Sequence, residues 1–234
     1  MTVNITHVLN ALLLPNLPYD SIKDFAPVAT IAGADILLVV HQSIPVHDLQ
    51  GFISLAKSKP GQLTYATASD GGITRLAAEL MSAMTGIKMR QIPYKGSAPA
   101  VADLVGGQVN LYFGTPASAR SHINSGKLKG IAITGESRSP VMPQVPTFTE
   151  AGLPGFDISF WYGVLAPAGT PKEIVSRLSS EIGRIVLMPD IKEKLANLGA
   201  RPFVSSPEKF TALIDADLAK YGKVVKAANI KIEM

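Results

Sequence analysis

Leu63-Thr64-Tyr65-Ala66-Thr67-Ala68-Ser69-Asp70-Gly71-Gly72-Ile73-Thr74 runs from β-forming residues, through a loop of small and hydroxyl side chains, into a helix. The helix is announced by Leu76, Ala77, Leu80, Met81 and Met84 at helical spacing, with Gly86 standing where a left-handed cap would end it. A strand that feeds a helix through such a loop is half of a βαβ unit. The fold class therefore depends on whether the pattern recurs on either side.

It does. Short apolar or β-branched runs at 35–41, 63–66, 90–93, 109–113, 130–134 and 158–165 alternate with amphipathic stretches. The stretch 46–58 places Leu49, Phe52, Ile53 and Ala56 on one face and stops at Pro60-Gly61. The stretch 73–85 repeats the device, its methionines filling core space. Ser97 is positioned as the N-cap of a helix carrying Val101, Leu104 and Val105. These alternations predict an α/β protein with parallel sheet.

The C-terminal part reads as helical. Thr170-Pro171-Lys172-Glu173 has a capping hydroxyl, a first-turn proline and an acidic residue three places on, followed by a stripe of Ile174, Val175, Leu178, Ile182, Ile185 and Val186. Asp190 and Glu193 repeat the capping spacing before Gly199, and Ser206-Pro207 opens a last helix through Phe210, Leu213, Ile214, Leu218 and Tyr221. The apolar run Phe160-Trp161-Tyr162-Gly163-Val164-Leu165 has the character of a connection between two lobes. The expected division is 37–164 for the more complete lobe, with 1–36 and 165–234 forming the other.

Composition narrows the chemistry. With 234 residues, 47% hydrophobic and 17% charged, the chain has ample material for buried cores. It has no Cys, which excludes thiolate catalysis, Cys-ligated metal and disulfides. The net charge of +4 is scattered and no basic run interleaves with aromatics, so nucleic acid is not expected as a partner. The apolar stretch at 8–14 lacks a preceding Lys or Arg and does not read as a signal peptide; no run approaches the ~18 residues of a membrane span.

The four histidines, His7, His41, His47 and His122, show no metal-ligand spacing, and His47 is expected to be solvated. No nucleophile elbow, P-loop or dinucleotide fingerprint is present. Neither a metal, a cofactor nor an enzymatic activity is expected. The loop Thr67, Ala68, Ser69, Gly71, Gly72 and Thr74 instead offers backbone N–H groups at a helix start, where the helix dipole favours an anion and glycines admit a ligand close to the backbone. A plain βα turn would use the same residues for conformation alone. Lys95, in Tyr94-Lys95-Gly96-Ser97-Ala98-Pro99, could pair with an anion or stand in solvent.

The wording of these loops resembles a known family. Leu17-Pro18-Tyr19-Asp20 with Asp24-Phe25-Ala26-Pro27-Val28, Lys57 to Ala66, Pro93 to Ala100, Leu104 to Val109, Ser125-Gly126-Lys127-Leu128, Arg138-Ser139-Pro140 with Val145-Pro146-Thr147, Ala151 to Phe156 and Ala166 to Pro171 keep the order of blocks in the TctC, or Bug, solute-binding proteins of tripartite tricarboxylate transporters. The resemblance implies a type II periplasmic-binding-protein-like fold, with two lobes joined by crossing strands and closing on a small carboxylate. It implies a dicarboxylate, tricarboxylate or aromatic acid as ligand, delivery to membrane permease subunits, a periplasmic location and no chemistry on the ligand.

Family members begin with a signal peptide, a first strand and a "PPGG" loop, which this sequence does not show, so the first lobe is expected to be incomplete. Thr67, Ser69, Gly71, Gly72 and Thr74 are expected to line the ligand cleft, joined by Ala68, Lys95, Gly114 and Thr115. At Gly114 the family often carries an acidic residue, and its absence favours a ligand that needs no ammonium or hydroxyl bound there, a bare dicarboxylate or aromatic acid rather than an amino acid. A ligand-sensing effector domain of a regulator is the alternative, since the architecture serves there too; an unrecognised hydrolase or isomerase is a third.

Overall fold

The computed structural model describes residues 2–3, 5–14, 17–69, 72–228 and 230. Asp70 and Gly71 of the candidate loop lie outside the described residues. The chain divides into two compact units, one of Asp35–Ser159 and one of Met1–Ala34 with Phe160–Met234. In chain order the elements are β1 (Thr2–Val3), a π-helical turn (Ile5–Leu9), α1 (Asn10–Leu13), β2 (Phe25–Asp35), β3 (Leu37–His41), α2 (Leu49–Ser58), β4 (Thr64–Thr67), α3 (Ile73–Thr85), β5 (Arg90–Pro93) and α4 (Ser97–Val105). They continue with β6 (Leu111–Gly114), α5 (Pro116–Asn124), β7 (Leu128–Ile133), β8 (Ser159–Pro167), α6 (Lys172–Val186), α7 (Pro189–Asn197), β9 (Arg201–Pro202) and α8 (Pro207–Ala227).

The continuous unit is built on a five-stranded sheet in the order β5-β4-β6-β3-β7. β4 runs parallel to β5 and β6, while β3 is antiparallel to both β6 and β7. From β4 the chain steps outward to β5 through α3, then returns past β4 to β6 through α4. Because βαβ crossovers keep one hand, opposite steps put α3 and α4 on opposite faces. The packing shows it. Leu37, Val39, Ala66 and Tyr112 meet Ala100, Val101, Leu104 and Ala119 in one core, while Tyr65, on the other face of β4, donates its hydroxyl to Glu79 of α3 at 2.7 Å.

Local chemistry sets the helix ends. Asp48 caps α2 by accepting from Gly51 N at 2.7 Å, so that helix starts three residues later than the periodicity suggests, and His47 is exposed ahead of it. In α3 the buried residues are Ile73, Thr74, Leu76, Ala77, Ala78 and Met81, with Gly86 in the left-handed conformation (φ 74) at its end. Leu80 and Met84, expected in its stripe, lie at the margin, Met84 38% exposed.

The second unit carries a four-stranded sheet in the order β1-β8-β2-β9. Trp161 of β8 is buried edge-on against Phe210 of α8, with ring centroids 4.9 Å apart. Its indole Nε1 donates to Asp217 Oδ2 at 2.8 Å, satisfying a carboxylate that is itself buried. A Cβ at Gly163 would run into the Phe210 ring, so β8 needs glycine there for α8 to approach.

Two expectations for this unit are corrected. Thr170 does not cap α6: its hydroxyl donates back to Pro167 O at 2.7 Å, closing the tight turn in which Gly169 has φ 81, and Pro171 takes the cap position. The α6 stripe is only half covered. Val175 and Val186 are buried, but Ile174, Leu178 and Ile185 are exposed, because the sheet residues Val28, Ala29 and Ala166 reach one side of the stripe only.

Candidate ligand-binding site

β4, β5 and β6 run in one direction, so their carboxyl ends, Thr67, Pro93 and Gly114, lie along one edge of the sheet. The loops leaving them are laced together: Tyr94 N donates to Thr67 O at 2.9 Å and Gly96 N to Ala68 O at 2.8 Å. From this edge start α3, α4 and α5, with Gly72, Gly96 and Thr115 in their N-cap positions. None of these caps makes a side-chain hydrogen bond to its helix, in contrast to Asp48 on α2 and Ser206 on α8. Among the described residues no side chain caps these first turns, on the edge where open α/β sheets hold their ligands.

The side chains of the edge divide into builders and surface. Thr67 is fully buried and its Oγ1 accepts from Gln91 Nε2 at 3.0 Å. Thr74, also buried, accepts from Ala68 N at 3.1 Å, which ties the loop back onto the first turn of α3. Ser69 is exposed and Gly72 buried; a Cβ on Gly72 would displace the Ser69 hydroxyl from its present rotamer. Lys95 is exposed and makes no ion pair among the described residues. Thr115 O accepts both the N–H and the hydroxyl of Ser118, the latter at 2.7 Å, while Pro116 opens α5.

Ser97 is the first helical residue of α4 rather than its cap; Gly96, at φ 118, takes that place. Its Oγ accepts the Tyr112 hydroxyl at 3.0 Å. Burial raises the Tyr112 phenol above its ordinary value of 10.0, keeping it a donor. Tyr94 holds its hydroxyl on Asp103 Oδ2 at 2.7 Å, and burial together with that carboxylate pushes it up to about 12. Gln91, Ser97 as a hydroxyl of the edge, and Tyr112 were not legible as site residues, because each meets its partner only after a crossover has brought distant residues together. The edge presents N–H and hydroxyl groups in fixed positions. Among the described residues no group of three or more His, Asp or Glu could hold a metal ion.

Known proteins resemble this chain along nearly its whole length. The profile of the tripartite tricarboxylate transporter family receptor, TctC, matches residues 1–230. Protein BugT of Bordetella pertussis is 33% identical over 94% of this chain and 68% of its own length. A protein encoded in the tcbD-tcbE intergenic region of Pseudomonas sp. strain P51 is 35% identical over 93% of this chain and 65% of its own. The chain thus spans about two thirds of the length of these curated relatives. Among solved structures, Rhodopseudomonas palustris Rpa4515 with adipate superposes with a TM-score of 0.87 at 34% identity, over 98% of this chain and 77% of that one. MatC from the same organism, with bound malate, gives 0.79 at 32% identity over 95% and 77%. The order of elements, relatives above 30% identity and a family profile that runs nearly end to end lead to one conclusion: this chain belongs to the TctC family of tripartite tricarboxylate transporter receptors.

Proposed function

We propose that the chain is a solute-binding receptor that captures a small organic acid and delivers it to the permease subunits of a tripartite transporter in the periplasm. The observation that carries this reading is the meeting, at the carboxyl ends of β4, β5 and β6, of the starts of α3, α4 and α5, which no side chain caps among the described residues. A carboxylate placed there accepts from backbone N–H groups and faces the positive ends of the helix dipoles. Thr67 and Thr74 support the loop, so its contribution comes through the backbone of Ala68 and Gly72 and through Ser69. Lys95 adds a mobile cation at the rim. Relatives at 34% and 32% identity carry adipate and malate, which supports a dicarboxylate.

Gly114 brings no side chain to this edge, so an amino acid would find no carboxylate there for its ammonium group. The ligand is accordingly an acid without an ammonium. Calorimetric titration with adipate, malate, succinate, citrate, benzoate, L-aspartate and L-glutamate tests the reading. Binding of at least one unaminated acid at micromolar affinity or better is expected, with L-aspartate and L-glutamate at least about a hundredfold weaker, a gap of about 2.7 kcal/mol. Failure of every acid to bind overturns the receptor reading for this chain; preference for the amino acids overturns the ligand class.

A further inference from the structure

Position 114 is closed to any side chain by a neighbour on its own strand. A Cβ built on Gly114 would overlap Cε1 of Tyr112 and stand 2.8 Å from Ser118 Oγ. The two residues lie on the same face of β6, and Tyr112 is 1% exposed. It belongs to the same buried core as Ala100, Val101 and Leu104 of α4 and Ala119 of α5, and its hydroxyl is anchored on Ser97 at the start of α4. The ring therefore runs from mid-strand toward the carboxyl edge and fills the space that a residue-114 side chain would need. It is held there at both ends.

Resting on the reading of this edge as a carboxylate site, we propose that Tyr112 is its specificity-determining residue: the anchored ring excludes any acceptor side chain from position 114 and so fixes the site for acids without an ammonium group. Ring and acceptor are alternatives for one volume. A carboxylate introduced at 114 while Tyr112 remains cannot take a relaxed rotamer, because the overlap is with a buried ring locked by close packing. A flexible, unbranched side chain at 112 would yield that volume.

The variants are Gly114→Asp, Tyr112→Met, Tyr112→Met with Gly114→Asp, and Tyr112→Phe, each titrated with adipate, malate, L-aspartate and L-glutamate. Gly114→Asp alone is expected to lose acid binding without gaining the amino acids. The double variant is expected to gain an amino acid by at least tenfold over wild type. Tyr112→Phe, which keeps the ring and drops the hydroxyl, keeps the exclusion. Equal amino-acid binding by Gly114→Asp and the double variant overturns the proposal. So does loss of the exclusion in Tyr112→Phe.

A melt without ligand provides a readout independent of binding. Gly114→Ala should lower Tm by at least about 4 °C in the Tyr112 background and by less than half as much beside Tyr112→Met. Equal losses in both backgrounds show that the ring does not close position 114, whatever the titrations give. If wild type binds none of the acids, the receptor reading fails, while the melt still decides the Tyr112–Gly114 exclusion.

Discussion

Helices α3 and α6 carry comparable apolar stripes in the sequence, and the fold treats them differently. α3 sits on a sheet whose strands reach both sides of its stripe, and Ile73, Leu76, Ala77, Ala78 and Met81 are buried. α6 meets Val28, Ala29 and Ala166 along one side, leaving Ile174, Leu178 and Ile185 in contact with water. Periodicity reports which face of a helix can be buried; how much of it is covered depends on the width of what lies opposite. The difference separates a unit with a thick core from one that depends on a few large side chains.

The most forceful attempt to break this comparison is truncation of the α3 core. Leu76→Ala should cost about 2–5 kcal/mol, because a 2% exposed side chain leaves a cavity among fixed neighbours. Urea unfolding with an unchanged slope measures it, and a loss below about 1 kcal/mol would show that the α3 face is loosely packed.

In the other unit the corresponding strength lies in a polar link. Trp161→Phe keeps most of the ring against Phe210 but withdraws the N–H that serves the buried Asp217 carboxylate. The expected cost is about 1–3 kcal/mol, and an unchanged urea midpoint would show that the remaining partners of Asp217, Lys220 at 3.6 Å from its Oδ1 among them, suffice.

Acid should also distinguish the units. Burial lowers the pKa of His7 below its ordinary 6.5, so its neutral form stabilises the fold above that value, and the contribution is lost as pH falls through the folded pKa. Glu150 accepts from Thr147 N and Arg138 Nε, each at 2.8 Å, which lowers it below 4.5; its contribution is present above 4.5 and lost only in stronger acid. Emission from Trp161, the one tryptophan of the chain, should therefore respond to mild acid before amide exchange rises around Thr147. The reverse order would contradict the assignment of these groups. The smallest effect belongs to the uncovered stripe: Leu178→Ser should shift stability by no more than about 0.5 kcal/mol, and a larger loss would mean that the face is covered in solution.

Legibility in the sequence followed the range of the interactions. β5 at 90–93 and α3 at 73–85 have the bounds their patterns predict, because local composition and a glycine cap decide both. α5 was not expected: only Pro116 and Ala119 of it are buried, and its polar surface carries no stripe. β2 extends back to Phe25 across Pro27, a residue that speaks against a strand until it is known that β9 pairs with β2 at Ala32 and Gly33, well beyond the proline. In the candidate site, the loop from Thr67 to Thr74 could be picked out because glycine and hydroxyl residues follow a strand. The Gln91–Thr67 and Tyr112–Ser97 bonds join residues 24 and 15 positions apart across a helix, and no periodicity records them.

The division at Ala34 and Phe160 has a consequence in time as well as in space. Asp35–Ser159 is an unbroken stretch, and every strand of its sheet has been synthesised once Ile133 is made. β2, made earlier, has to wait for β8, for β9 and for the Phe210 and Tyr221 side chains of α8 before its own unit can close. Synthesis from the N-terminus thus yields one finished unit while β2 is still without β8 and β9. Its apolar residues are exposed for most of the chain's elongation, and it is there, rather than at the donor-lined edge, that a chaperone or an aggregating neighbour would find its hold.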